Sequence, residues 1–303
     1  MKKGNLITVI GPTAIGKTAL AIGLAKHFKT EIISADSRQF FKEMHIGTAV
    51  PTAVELNTVP HHFIQNLSIN NDYSVGDFER EALKKLHELF EKYAVVVMVG
   101  GSGLYVDAVC NGLDDFPEVD PAIRKNLKAR LEETGILELQ NELKKLDFTT
   151  YNQIDLENPQ RLIRALEICL VSGKPYSSFL SENKSPREFN SIKIGLTAPR
   201  EIVYDRINQR VDQMIENGLV DEARKLFPYK NLNALQTVGY KELFSYFEGE
   251  TNLEFAIEEI KKNTRRFAKR QFTWFKKDQE ILWFDYLTDL DKIINRIEEK
   301  LIT

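Results

Sequence analysis

The sequence of 303 residues predicts an α/β fold, a parallel sheet covered by helices and interrupted by an all-helical insertion. Three observations carry that prediction. Short apolar, β-branched runs recur along the chain with helical patterns between them, as strands buried on both faces require. The first run leads straight into a glycine-rich loop and then a helix. Between about Asp114 and Pro186 the alternation lapses and the periodicity is helical throughout.

Residues 6–10 form the first strand, and residues 11–18 follow as Gly-Pro-Thr-Ala-Ile-Gly-Lys-Thr, a G-x-x-x-x-G-K-T loop in front of the helical pattern at 19–25. Strand, loop and helix in this order make a phosphate-binding loop and a P-loop NTPase-like sheet. Gly11 and Gly16 let backbone N–H groups turn inward around a polyphosphate, with Pro12, Thr13, Ala14 and Ile15 spanning the arch between them. Lys17 supplies a mobile cation, and Thr18 offers a hydroxyl to Mg²⁺ at the helix N-terminus. ATP is the ordinary ligand of such a loop.

The second strand, 31–34, brings Asp36 to the same rim, where ligands of open parallel sheets bind. A carboxylate there can accept a proton from a nucleophile, hold Mg²⁺ through water, or cap a helix. The third strand, 94–99, runs into Gly100-Gly101-Ser102-Gly103 with no acidic residue at its end. Phosphoryl-transfer enzymes with this loop usually carry an Asp there to organise Mg²⁺ around ATP. Here the glycines leave space, and Ser102 offers a hydroxyl to a substrate threading close to the backbone; a plain glycine-rich turn is the alternative. Residues 192–196 and 281–284 complete the sheet. Behind the fourth strand, Arg206 and Arg210 share a helix face from which either reaches the loop, with Arg210 the candidate pyrophosphate clamp. His61 and His62 are adjacent, project in different directions and lack an acidic or Cys partner nearby, so they are expected to serve in turn and packing roles.

The core domain is expected at 1–113 and 187–303 and the insertion at 114–186, bounded by Asp114-Asp115-Phe116-Pro117 and by the polar segment Ser181–Pro186. Helices are expected at 122–133, 136–146 and 159–171. The last opens on Asn158-Pro159 and places Gln160 and Arg164 on one face, suited to phosphate or base contacts or simply solvated. Residues 261–277 hold eight basic residues and no acidic one in a chain of formal net charge −3. Lys262, Arg266, Lys269 and Arg270 fall on one helical stripe, with Phe267, Trp274 and Phe275 free to pack or stack. Such a composition suits tracking a nucleic-acid backbone, and a solvated basic helix is the alternative.

With 43% hydrophobic residues the chain has a large core to bury. Two distant cysteines, Cys110 and Cys169, suggest neither a disulfide framework nor a zinc site, and fit the cytoplasm. Gly11, Pro12 and Lys17 interrupt the first apolar stretch before it could serve as a signal or membrane segment, so no membrane association is expected. A monomer is the expected state.

Seven segments in order resemble the bacterial tRNA dimethylallyltransferases, also called isopentenyl-tRNA transferases. They are the loop at 11–18, Ser34-Ala35-Asp36-Ser37-Arg38-Gln39, Ile46-Gly47-Thr48-Ala49, Gly100-Gly101-Ser102-Gly103-Leu104-Tyr105, Pro159-Gln160-Arg161 through Glu167, Val238-Gly239-Tyr240-Lys241-Glu242, and Thr264 through Phe275. The resemblance implies transfer of a dimethylallyl group from dimethylallyl diphosphate to the exocyclic N6 amine of adenosine 37, 3′ of the anticodon, in tRNAs reading codons that begin with U. It implies that residues 11–18 and Arg210 hold the diphosphate with Mg²⁺ at Thr18. Asp36 would be the general base, with Lys17, Thr18 and Ser102 also catalytic. The anticodon stem-loop would be contacted by Asp36, Ser37, Arg38, Gln39, Ser102, Arg124, Gln160, Arg161, Leu162, Ile163, Arg164, Gln236, Thr237, Val238, Gly239, Tyr240 and Lys241, with Arg266, Lys269 and Arg270 on its phosphates. This sequence departs from the family's pattern at Ala14-Ile15, where members commonly show Gly or Ser, which puts bulk at a turn near the phosphates. Two other readings of the phosphate loop are a kinase of a nucleoside or small metabolite and a nucleotide-gated RNA-binding protein without chemistry.

Overall fold

The computed structural model describes residues 3–180 and 186–302, so that Ser181–Ser185, the polar stretch expected to close the insertion, lies outside the described residues. The strands are β1 Gly4–Ile10, β2 Ile32–Ser34, β3 His61–His62, β4 Val95–Val99, β5 Phe189–Thr197 and β6 Leu282–Asp285. The helices are α1 Lys17–His27, α2 Ala53–Thr58, α3 Val75–Phe90, α4 Gly103–Asn111, α5 Pro121–Thr134, α6 Ile136–Leu146, α7 Phe148–Gln153, α8 Pro159–Ser172, α9 Arg200–Glu216, α10 Leu219–Leu226, α11 Tyr240–Phe247, α12 Leu253–Phe275 and α13 Leu290–Ile302.

All six strands are parallel, in the order β3-β2-β4-β1-β5-β6. Leu6, Ile7, Val9 and Ile10 of β1 are fully buried, because the sheet carries a hydrophobic cluster on each face. One cluster gathers Leu6, Ile10, Met98, Phe40, Phe78 and Val106; the other gathers Ile7, Val9, Val97, Leu24 and Ile293. A parallel sheet sends every strand's carboxyl end to one rim, so the segments after β1, β2 and β4 meet there although about 90 residues separate the first from the last. His61 and His62 were expected in a turn; they form the two-residue edge strand β3, and His62 Nε2 meets Glu31 Oε2 at 2.6 Å. That contact supplies the acidic partner the sequence reading had not found.

The chain divides into two compact units, Met1–Cys110 with Arg187–Thr303, and Asn111–Pro186. The second is all-helical, with a core of Leu127, Leu139, Leu143, Leu162, Leu166 and Cys169. Its short helix α7, absent from the sequence expectation, is fixed by Asp147. That buried carboxylate accepts from the Thr150 backbone N–H at 2.9 Å, the Thr150 hydroxyl at 2.6 Å and the Ser177 N–H at 2.7 Å. Burial, the largest influence, pushes its pKa up, but four hydrogen bonds, the fourth from the Ser177 hydroxyl at 3.0 Å, hold it below the usual Asp range. Among the described residues, no helix is long and apolar enough to cross a membrane.

Candidate active site

The segment 11–18 leaves the sheet between β1 and α1 without a side-chain cap. Gly16, at φ 108°, sits in the left-handed region that glycine adopts freely, and no acidic residue lies in the first turn of α1. The first N–H groups of α1 therefore keep their hydrogen-bonding capacity for an anion. Ala14 is also left-handed, at φ 63°. Ile15 does not crowd the loop, because its side chain is buried with Leu196, Val203, Ile207 and Ala268. The bulk expected near the phosphates is thus absorbed into the core.

Three cations surround this loop. Lys17 Nζ donates to Pro12 O at 2.7 Å, Arg206 Nε to Ala14 O at 2.7 Å, and Arg210 Nη1 to Thr13 Oγ1 at 3.1 Å. Burial pushes the Lys17 ammonium down to about 8, with Asp36 opposing and Arg210 adding to the shift. Burial lowers Arg210 too, again opposed by Asp36. Burying a cation carries a cost that a nearby anion offsets, a part that Asp36 plays for both side chains.

A cavity of about 910 Å³ opens beside the loop, lined by Thr13 and Arg210, by Asp36, Ser37 and Arg38, by Gly101 and Ser102, and by Gln236, Thr237, Val238, Gly239 and Lys241. Asp36 heads no helix: its Oδ1 accepts from the Arg38 N–H at 3.2 Å within a turn. Ser102 Oγ accepts from the Ser37 N–H at 3.1 Å and bonds Ser37 Oγ at 3.1 Å, tying the turn after β4 to the turn after β2. Arg38 donates to the carbonyls of Asn233 and Ala234 at 3.1 and 3.0 Å. Gln39 spends its amide on the carbonyls of Thr48 and Ala49, at 3.2 and 2.9 Å, so it shapes the cavity wall.

The basic stripe divides. Arg270 lines the cavity along with Phe267, Gln271 and Trp274. Arg266 and Lys269 are exposed and lie outside that lining. Lys262 pairs with Glu259 at 2.6 Å, and Phe275 is buried.

Other expected contact residues belong to the helical unit or lie beneath the surface. Leu162 and Ile163 are buried in the core of the helical unit, because they occupy the apolar stripe of α8, and Tyr240 is fully buried in the other unit. Gln160 and Arg161 are exposed. Arg124 pairs bidentately with the buried Glu167, its Nη2 at 2.9 Å, and Arg164 Nη1 lies 3.5 Å from the same carboxylate.

Sequence reasoning assigned no role to two residues that build the cavity. Gln271 is buried and bonds both the phosphate loop and Gly101. Its position on the stripe with Ala268 and Phe275 was the available signal, a polar residue where the helix presents an apolar face. Glu222 accepts from the N–H groups of His45, Ile46 and Gly47 at 3.0, 2.8 and 2.9 Å and from Tyr240 Oη at 2.7 Å. It fixes the wall segment Gly47–Ala49, and nothing in its local sequence marks it.

Fold and site define a P-loop-like α/β protein in which the glycine-rich loop, a half-buried arginine and a carboxylate line one cavity. The IPP transferase family model matches residues 39–278. A tRNA dimethylallyltransferase of Christiangramia forsetii is 64% identical over 298 residues, covering 98% of this chain and 99% of the relative. The crystal structure of the full-length tRNA isopentenylpyrophosphate transferase of Bacillus halodurans superposes with a TM-score of 0.72 at 40% identity, over 99% of this chain and 96% of that one. A eukaryotic dimethylallyltransferase captured acting on tRNA gives a TM-score of 0.81 at 27% identity, over 99% of this chain and 78% of its own. The chain belongs to the IPP transferase family.

Proposed function

We propose that this chain transfers the dimethylallyl group of dimethylallyl diphosphate to the N6 amine of adenosine 37 in tRNAs reading codons that begin with U, releasing diphosphate. The broader statement, an enzyme with tRNA dimethylallyltransferase activity, follows from the family and from the relatives so named. The observation that supports its diphosphate and base chemistry is the pairing of half-buried Lys17 and Arg210 at the loop with Asp36 on the same cavity, and no acidic residue at the end of β4; the tRNA position and codon class follow the family resemblance.

An adenine amine is a weak nucleophile, its lone pair delocalised into the ring. Asp36 takes a proton from N6 as the N–C bond forms, while Lys17, Arg210 and the N–H groups at the start of α1 stabilise charge growing on the departing diphosphate. Thr18 at the first turn of α1 would hold Mg²⁺. Bound there, Mg²⁺ supplies further neutralisation of the leaving group. The target base is extracted from the anticodon loop into the cavity. Arg38, Ser102 and the 236–241 segment receive it; Arg266, Lys269 and Arg270 hold backbone phosphates, and Gln160, Arg161, Arg164 and Arg124 of the helical unit meet the stem-loop. The working state is a cytoplasmic monomer.

The test is incubation with an unmodified anticodon stem-loop, dimethylallyl diphosphate and Mg²⁺ without ATP, followed by mass spectrometry of the digested nucleosides. Adenosine gains one dimethylallyl group. In a parallel incubation with ATP and candidate nucleosides, ATP consumption, with no such gain in the first reaction, would establish a small-metabolite kinase.

A further inference from the structure

Gln271 touches both the phosphate loop and the turn carrying Ser102 through its side chain. Its Oε1 accepts from the Thr13 backbone N–H at 2.9 Å, and its Nε2 donates to Gly101 O at 2.9 Å. Both bonds join segments far apart in sequence, and the side chain is buried. An amide is the side-chain group that accepts at one end and donates at the other in a fixed plane, as a carbonyl on one side and an N–H on the other demand.

Each segment it joins is also held from a second direction. Arg210 grips the Thr13 hydroxyl, while Ser102 bonds the Ser37 backbone and hydroxyl beside Asp36. One helical turn past Gln271's neighbour Arg270, Trp274 donates from Nε1 to Asp107 Oδ2 at 2.7 Å, and a Cβ on Gly103 would collide with its indole. A Cβ on Gly101 would likewise drive into the Gln271 amide and lie 3.7 Å from Lys17 Nζ. Helix α12 thus seats the Gly101–Gly103 turn closely, and Gln271 carries that seating on to the loop.

We infer that Gln271 is a positioning residue that sets the separation between the diphosphate cradle and the Asp36–Ser102 side on which the nucleophile is held. The inference rests on the transferase reading above. Its consequence is selective. With the spacing lost, both substrates still bind but the reacting atoms fall out of line, and a displacement of about 1 Å costs on the order of 100-fold in turnover. Water then competes for the same carbon. Its oxygen bonds to C1 of the dimethylallyl group as the C1–O bond to diphosphate breaks; the electron pair leaves with diphosphate, and the proton passes to solvent, giving dimethylallyl alcohol.

The experiment compares wild type, Gln271→Glu, Gln271→Ala and Gly101→Ala for kcat, for KM of each substrate, and for the ratio of dimethylallyl alcohol to prenylated adenosine. Gln271→Glu keeps an acceptor for Thr13 N–H but sets an oxygen against Gly101 O. We expect kcat to fall about 100-fold with KM for dimethylallyl diphosphate within about threefold, and the alcohol fraction to rise in all three variants, most in Gln271→Ala. With the alcohol formed in enzyme-free controls subtracted, the ratio does not depend on how much protein is folded, so a variant of low stability still reports. Gln271 variants with wild-type kcat and product ratio would overturn the inference, as would variants losing activity at an unchanged ratio, which marks a purely structural role. Absence of prenylated adenosine from the wild type would instead sink the transferase reading.

Discussion

The loop side and the carboxylate side of the cavity are built by opposite means. On the loop side the character is electrostatic: Lys17 and Arg210 are half-buried, and burial lowers both pKa values. On the carboxylate side it is geometric. Asp36 is half-buried in a turn closed by its own bond to the Arg38 N–H, and its neighbour Ser37 is tied to Ser102. The difference matches what the proposed reaction would ask of each side. A leaving group that departs with growing negative charge needs stored attraction, whereas a base needs one oxygen held at hydrogen-bond reach of one proton.

The sharpest break of this contrast is Asp36→Asn. The shape of the turn survives and the proton acceptor is lost, so turnover should fall by roughly 10²–10⁴-fold while affinity for inorganic diphosphate, measured calorimetrically, stays within a few-fold. Loss of diphosphate binding instead would place Asp36 on the electrostatic side.

Lys17→Met attacks the other side and should cost on the order of 10²–10³ in kcat with Asp36 untouched, by analogy with removal of one preorganised donor to a developing anion. A proton-linked signature accompanies it. With its folded pKa at about 8 against 10.5 in the unfolded chain, Lys17 binds fewer protons in the native state between those values. Its burial cost is fully present below about pH 8 and is relieved as pH climbs towards 10.5. A bound polyanion raises the pKa, so diphosphate binding near pH 8.5 should take up protons, read from calorimetric heats in buffers of different ionisation enthalpy. Lys17→Met should lose that part of the uptake, which separates it from the ligand's own titration.

The same contrast explains what the sequence could reveal. Five of the six strands announce themselves as continuous apolar runs, and the parallel sheet then dictates that residues 11–18, Asp36 and Ser102 share a rim. β3 escaped because two half-buried histidines at an edge carry no periodicity. The electrostatic side was legible because its charges lie within one motif or one helix face, and Arg210 does meet Thr13. The geometric side was legible only at Asp36 and Ser102. The residues that hold it in shape, Gln271 and Glu222, act on backbone groups about 170–260 and 175 positions away, a distance that no local pattern encodes. Surface and core also mix within one motif: Arg161 is exposed while its neighbours Leu162 and Ile163 are buried.

Glu222 gives the mildest test, because it supports the geometric side at one remove. Its carboxylate accepts three successive backbone N–H groups and the Tyr240 hydroxyl, and its charge, with burial the larger cause, raises the Tyr240 pKa. Glu222→Gln must turn an amide NH₂ towards donors it cannot accept from, leaving one or two N–H groups unpaired. The expected cost is about 1–3 kcal/mol in urea unfolding. Gly47–Ala49 forms part of the cavity wall, and Gln39 leans on the same carbonyls, so KM for the stem-loop should rise a few-fold with kcat nearly preserved. A fall in kcat matching that of Asp36→Asn would mean that this wall, like the turn at Asp36, sets the reacting geometry.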